Sequence, residues 1–186
     1  PRVHYLRTIE DSSALARLAV PGARAVVVGA GFIGLEVAAS LTTRGVQVMV
    51  IEAESHIWPR FTDVTLAGYV QSYCAQKGIV FQTSDMVTDV REQESGCTVT
   101  TRSGKSYPCD FVCIGVGITP NVELAVQAGL DVENGIVVNE YLQTSHPDIY
   151  AAGDVANYPD PYFDKRRRVE HWGHAEYCGQ LAGQNM

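Results

Sequence analysis

Three glycines and a glutamate have the types and spacing needed to bind a dinucleotide. Gly29, Gly31 and Gly34 form a G-x-G-x-x-G pattern between an apolar run and a helical segment. The first glycine allows a tight turn, the second lets the backbone approach a pyrophosphate, and the third lets helix and strand pack closely. The alternative is an ordinary strand–helix turn; the flanking strand and helix favour the dinucleotide site.

Glu52 indicates which dinucleotide is bound. It ends the next apolar run, eighteen residues after Gly34. A carboxylate there can accept hydrogen bonds from both ribose hydroxyls of an adenosine, and it would repel a 2′-phosphate. We therefore predict NAD rather than NADP, although Arg60 could loop back to a phosphate.

A second acid lies far downstream, in "DIYAAGDVANY" (148–158). The apolar run predicts a strand that ends at Gly153 and delivers the carboxylate of Asp154 to the carboxyl edge of a sheet, where such sheets bind ligands. The alternative is an exposed aspartate that caps a helix beginning at Val155.

Composition excludes some classes of function. The 186 residues are 46% hydrophobic and 19% charged, with no apolar run of membrane length. The net charge of −7 disfavours a nucleic-acid binder. Five cysteines form no CxxC pair, which predicts reduced thiols and an intracellular protein, and no metal-ligand spacing is found. Cys109 and Cys113 are interpreted as core residues facing the same way on one strand.

The elements around these residues predict an α/β fold. Strands at 25–28, 46–52 and 79–82 alternate with helices after Gly31 and over 62–77, and a helical candidate covers 11–18. Turns at 94–96 and 103–104 indicate an antiparallel meander before a buried strand at 110–114. A short helix from Asn121, strands at "GIVVN" and "DIYAAGD", a charged loop "DKRRR" (164–168) and a final helix complete the chain.

Four motifs stand in one order: "VVVGAGFIGLEVAASL", "CIGVGITPN", "IYAAGDVA" and "RVEHWGHA". Together they resemble the FAD-dependent pyridine nucleotide-disulfide oxidoreductase superfamily, in its ferredoxin reductase and apoptosis-inducing-factor-like branch. The resemblance implies a three-layer Rossmann-like NAD(P)-binding domain of the FAD/NAD(P)-binding fold, with a central parallel sheet and a small meander. It also implies three parts: a connector from a missing N-terminal FAD segment (1–23), an NAD-binding domain (24–142) and the start of the second FAD-binding half (143–186). The C-terminal domain of such proteins is expected to be missing as well.

Site residues follow from the resemblance one position at a time. The residues implied for NAD are Gly29, Gly31, Phe32, Ile33, Gly34, Glu36, Glu52, Arg60, Gly115, Val116 and Gly117. Gly153 and Asp154 would bind FAD, and Glu170, His171 and Trp172 would lie at the flavin edge, with no acid–base residue needed. A core position is the alternative for Trp172.

The function implied is an NADH-dependent flavoprotein reductase that passes hydride from NADH to FAD and electrons to a ferredoxin-like or other acceptor. A disulfide or peroxide reductase using NAD(P)H, and a redox-sensing NADH-binding module, remain open. The run from Lys165 to Arg168 would help to dock an acidic partner, or be a solvated loop. The protein would be cytoplasmic or mitochondrial.

Overall fold

The chain folds into two units. A computed structural model describes residues 1–59 and 61–186, and internal contacts divide the chain into Pro1–Gly117 and Ile118–Met186. This division follows contacts alone, and the functional boundaries given above stay a prediction. Among the described residues, no helix combines the length and the hydropathy that crossing a bilayer requires.

A five-stranded parallel sheet forms the centre of the first unit. Its strands are β1 (Val3–His4), β2 (Arg24–Val28), β3 (Gln47–Ile51), β4 (Val80–Gln82) and β8 (Phe111–Ile114), in the order β1-β8-β2-β3-β4. Val28 is paired with both Ile51 and Ile114, so the carboxyl ends of the three middle strands are level. The short strand β1 was not predicted.

Three helices cover one face of this sheet. They are α1 (Ile9–Leu18), α2 (Phe32–Thr43) and α3 (Val64–Gln76). Thr8 and Asp11 form a capping box at α1, and the Asp63 carboxylate caps α3 by accepting from the N–H groups of Thr65 and Leu66. Gly45, at φ +83°, lies just beyond the end of α2 as predicted.

The predicted meander covers the other face. It consists of β5 (Val87–Gln93), β6 (Gly96–Thr101) and β7 (Ser106–Cys109), all antiparallel. Alternation along β2 sends Ala25 and Val27 to the cluster on the helix side, and Val26 and Val28 to the cluster on the meander side. A continuous apolar run is therefore needed, because both faces are buried. The predicted three-layer α/β architecture is confirmed.

Cys109 and Cys113 do not share one strand, contrary to the prediction. Cys109 and Cys113 are both buried, but Asp110 separates two different strands, β7 and β8. Cys109 packs on the meander side and Cys113 on the helix side, so they do not face the same way. Cys109 is instead paired with Cys97 across the meander.

The second unit is a small sheet packed with one long helix. It contains α4 (Glu123–Gln127), β9 (Ile136–Val137), a 3₁₀ turn (Gly153–Val155), β10 (Ala156–Asp160), β11 (Lys165–Arg167) and α5 (Trp172–Asn185), with sheet order β11-β10-β9. Two predictions are wrong here. "DIYAAGD" forms only an isolated bridge between Tyr150 and Gln143, and the strand begins after it, at Ala156. The basic run is a strand paired with β10, not a loop.

Candidate functional site

Three loops meet at the carboxyl edge of the parallel sheet in the first unit. Strands β8, β2 and β3 are neighbours, so the segments that follow Ile114, Val28 and Ile51 lie side by side. The chain leaves β2 for β3 on one side, while β8 lies on the other, which is the switch point where open α/β sheets bind ligands. The glycine loop, Glu52 and Gly115 are brought together by this topology.

Two of the three loop glycines are required by internal packing. Gly29 has φ +96°, and a Cβ added there would lie 2.5 Å from the carbonyl oxygen of Gly115. A Cβ added at Gly34 would come closer than 3.0 Å to the carbonyl oxygen of Gly29. Neither position has room for a side chain.

Internal packing does not require a glycine at position 31. A Cβ added there would meet no atom of the described residues within 4 Å, and its φ of −74° is open to any amino acid. Gly31 is the N-cap of α2, and within the described chain the N–H groups of Gly31, Phe32 and Ile33 have no hydrogen-bond partner. Open space beside free donors at the positive end of a twelve-residue helix fits a phosphate group.

The Glu52 carboxylate is held against this loop. The residue is 9% exposed, its Oε2 accepts from the Ala30 N–H at 2.6 Å, and its Oε1 accepts from the Glu54 N–H at 3.0 Å. Each oxygen keeps a further lone pair. Two backbone donors thus fix a carboxylate that can still accept hydrogen bonds from a pair of hydroxyls.

An aromatic cluster lines the loop, and two of its members, Trp58 and Phe61, were not predicted as site residues. The Phe32 ring lies 5.3 Å from the Trp58 ring and 4.5 Å from the Phe61 ring, between centroids. Trp58 has φ +51°, and its backbone N–H donates to the carbonyl of Ala30. The positions of Trp58 and Phe61, within ten residues of Glu52, were the feature of the sequence that could have indicated them. Arg60, predicted for the same segment, lies outside the described residues.

The other residues assigned to NAD are exposed near this edge. Phe32 and Ile33 are about two-fifths exposed, and Val116 and Gly117 are exposed at the end of β8. Glu36, one turn into α2, is exposed, and it borders a groove of about 320 Å³ between α1 and α2 that does not include the glycine loop. The structure therefore leaves these positions accessible to a ligand.

In the second unit, the turn at Gly153 presents Asp154 to solvent. Gly153 has φ +77°, and a Cβ added there would lie 3.4 Å from the Cβ of Ala175 in α5. The Asp154 side chain is exposed and accepts no hydrogen bond within the described chain, while its backbone carbonyl accepts from Arg168. Its carboxylate is available to a ligand.

The residues predicted for the flavin edge stand at the start of α5. Trp172 is 77% exposed and stacks on His171 at 6.2 Å between centroids, so it is not a core residue of this chain. The Glu170 carboxylate accepts from Arg168 at 2.9 Å. His174 and Cys178, which were not predicted as site residues, contact each other at 3.1 Å between Nε2 and Sγ. Burial lowers the pKa of His174 and raises the pKa of Cys178.

Cysteine and metal chemistry have little support in the described part of the chain. Burial raises the pKa of the Cys109 thiol to about 12 and that of Cys113 to about 11, so neither is a thiolate at neutral pH. Across residues 1–59 and 61–186, no group of three or more His, Cys, Asp or Glu side chains is arranged to hold a metal ion.

Comparison with known proteins gives a consistent set of relatives. A family model described as pyridine nucleotide-disulphide oxidoreductase matches residues 1–179. Rhodocoxin reductase of Rhodococcus erythropolis is 41% identical over 87% of this chain and 38% of its own length. Putidaredoxin reductase of Pseudomonas putida is 36% identical over 89% of this chain and 40% of its own length. The chain thus spans about two-fifths of these relatives.

Two solved structures of reductases are similar to this chain in fold and sequence. The ferredoxin reductase for the CYP199A2 system from Rhodopseudomonas palustris has a TM-score of 0.92 and 34% identity, covering 100% of this chain and 46% of that one. A covalent putidaredoxin reductase–putidaredoxin complex has a TM-score of 0.91 and 32% identity, covering 99% of this chain and 45% of that one.

Proposed function

The chain belongs to the pyridine nucleotide-disulphide oxidoreductase family, and from that membership we propose that it is the NADH-binding part of a flavoprotein reductase. FAD would take up hydride from NADH and release electrons to a ferredoxin-like or other redox partner. The names of relatives, including a ferredoxin–NAD(+) reductase component and a rubredoxin–NAD(+) reductase, support this reading. The chain covers less than half of each, so the activity of the whole protein is part of the proposal.

The observation that carries the proposal is the space at Gly31. Neither the φ of Gly31 nor any described neighbour requires a glycine there, and the N–H groups of Gly31, Phe32 and Ile33 have no partner among the described residues. The pyrophosphate of NADH would occupy the space at Gly31, and the Glu52 carboxylate would accept hydrogen bonds from the ribose hydroxyls of the adenosine. Phe32, Ile33 and Glu36, with the segment 115–117, would line the rest of the dinucleotide site.

The second unit would contribute half of an FAD site. Gly153 keeps the turn close to α5, and the exposed carboxylate of Asp154 would accept a hydrogen bond from a hydroxyl group of FAD. Glu170, His171 and Trp172 would border the flavin. These residues bind and orient; none is required to move a proton, because hydride transfer needs no side-chain acid or base. Residues 1–23, 24–142 and 143–186 would then be the connector, the NAD domain and the start of the second FAD half.

For the acceptor we propose an acidic redox protein that docks on the hairpin face, defined as Phe163, Lys165 and Arg167. The Phe163 ring is 62% exposed and lies 5.7 Å from the Lys165 ammonium and 5.0 Å from the Arg167 guanidinium. Arg167 donates to the Asp160 carboxylate at 3.1 Å, so the exposed Lys165 supplies most of the positive charge of this face. On a chain of net charge −7, that charge would steer an acidic partner. The five unpaired thiols support an intracellular location.

The thiols also bear on the alternative of a disulfide or peroxide reductase. Four of the five cysteines are buried, and burial is the first cause of the raised pKa of each. The thiolate is the reactive form, so these four are poor nucleophiles at neutral pH. A dithiol mechanism would therefore need cysteines from elsewhere in the longer protein.

Titration of the chain with NADH and NADPH tests the dinucleotide assignment. A 2′-phosphate near the fixed Glu52 carboxylate meets repulsion on the order of 1–3 kcal/mol, which predicts NADPH binding that is about 5- to 150-fold weaker. Glu52→Arg should narrow or invert the preference. A matched substitution at exposed Glu92 should leave the ratio unchanged. Equal affinity of the wild-type chain for both cofactors would reject the assignment.

A further inference from the structure

Arg168 joins three separate segments of the second unit. Its Nη2 donates to the Glu170 carboxylate at 2.9 Å, its Nη1 to the backbone carbonyl of Asp154 at 2.7 Å, and its Nε to the Asn134 side-chain oxygen at 3.2 Å. Each guanidinium nitrogen thus has a different partner. Two of the partners belong to the residues assigned above to FAD.

The side chain is built into the fold rather than displayed on its surface. It is only 9% exposed, and its Cδ would lie 2.5 Å from a Cβ added at Gly135, which has φ +111°. Asn134 is itself in the left-handed region, at φ +46°. The turn at 134–135 therefore makes room for the stem of Arg168 and supplies an acceptor for its Nε.

A buried cation of this kind is costly unless its donors are satisfied, and here three nitrogens are. The planar fork of arginine fixes the directions of its N–H groups, whereas lysine offers one point charge. The contact with Asp154 holds the turn at Gly153–Val155, and the contact with Glu170 holds the segment leading into α5. Arg168 therefore links these two segments by hydrogen bonds, in addition to the packing of Gly153 against Ala175 of α5.

We propose that Arg168 is a positioning residue: it sets Glu170 and the start of α5 against the Asp154 turn, and so shapes the flavin-binding half-site. This inference rests on the proposed function. Arg168 is not assigned contact with the flavin; it acts through Asp154 and Glu170. Arg168 also does not belong to the hairpin face, because its guanidinium is bonded to Asp154, Glu170 and Asn134 within the unit.

The test uses the full-length flavoprotein and the variants Arg168→Lys, Glu170→Gln and their combination, with Asn134→Gly as a milder change that tolerates the left-handed backbone. Arg168→Lys keeps the charge and loses the fork, so we expect about tenfold weaker FAD binding. We also expect a change in the ratio of affinities for oxidised and reduced FAD; a tenfold change corresponds to a midpoint shift of about 30 mV. The effects of Arg168→Lys and Glu170→Gln should be strongly non-additive.

Arg91→Lys is the matched control, since Arg91 forms an exposed ion pair with Asp89 in the meander. NADH affinity should be unchanged in every variant. If Arg168→Lys matches the wild type in FAD affinity and midpoint potential, the inference is wrong. If the variant merely loses thermal stability and the remaining flavin has a normal potential, the role is structural and the inference is also wrong. A wild-type protein that binds no FAD would overturn the proposed function itself.

Discussion

The same substitution at two glycines of one loop should have opposite effects. Gly31→Ala adds a methyl group where no described atom lies within 4 Å. Alanine there reduces the entropy of the unfolded chain, which stabilises by about 0.4–1 kcal/mol, and is a poorer helix N-cap, which costs a similar amount. The free energy of unfolding should therefore stay within about 0.5 kcal/mol of the wild type.

Gly34→Ala should instead destabilise the fold. Alanine in a helix interior gains about 1 kcal/mol over glycine, but the new methyl group meets the carbonyl oxygen of Gly29 at less than 3.0 Å. The obstacle is backbone, and the Gly29 N–H is bonded to Ile51 at 2.8 Å, so the loop cannot move aside freely. Overpacking of this kind costs about 1–3 kcal/mol or more, so we expect a net loss of stability.

Ligand binding completes the contrast. If the pyrophosphate of NADH occupies the space at Gly31, the added methyl group should weaken NADH binding by at least about tenfold, or 1.4 kcal/mol. Urea unfolding followed by tryptophan fluorescence gives the stability, and calorimetric titration of the 186-residue chain gives the affinity. Wild-type affinity in Gly31→Ala would refute the reasoning, as would a loss of stability equal to that of Gly34→Ala.

Acid should destabilise the first unit through Asp85. Hydrogen bonds from Ser103 lower the pKa of this buried carboxyl in the folded protein. The contribution of Asp85 to the free energy of unfolding is therefore present above the unfolded pKa of about 4, and it is lost as the pH falls towards the folded pKa. Asp85→Asn should show a smaller drop in melting temperature between about pH 7 and pH 3 than the wild type. Trp172→Ala should leave the melting temperature of the chain unchanged, because the side chain is 77% exposed, while slowing electron delivery to the acceptor in the full-length protein; normal acceptor rates would contradict the flavin-edge role. Lys165→Gln should slow reduction of an acidic acceptor and flatten the salt dependence of that rate, whereas Lys77→Gln, just after α3, should do neither. Equal effects of the two substitutions would reject docking at the hairpin face.

The sequence predicted the first unit well because both faces of its sheet are buried. A strand such as Arg24–Val28 must be apolar at successive positions, and this is a strong local signal. The spacing of the glycines and Glu52 then follows from the strand–helix–strand unit. Strand β1 gave no signal, since two residues show no period and their pairing with β8 is long-range.

The second unit was harder to predict because its strands are short and polar. The apolar stretch before Asp154 indicated a strand, yet Gly153 is in the left-handed region and the chain turns there. The actual strand, Ala156–Asp160, contains Pro159, which cannot donate to a ladder. Its pairing with β9 stops at Asn157, so the proline lies beyond that ladder and is tolerated.

The four basic residues from Lys165 to Arg168 do not form one charged surface. As a strand, its residues alternate between two sides. Lys165 and Arg167 lie over the Phe163 ring, while Arg166 donates to the backbone carbonyls of Val138 and Asn157. The side chain of Arg168, just beyond the strand, is 9% exposed and also bonds within the unit. Arg166 and Arg168 therefore hold the unit together. On the side that carries Phe163, the Arg167 guanidinium is paired with the Asp160 carboxylate at 3.1 Å, so Lys165 carries the charge available to a partner. A period of two applied to "KRRR" would have separated these roles from the sequence alone.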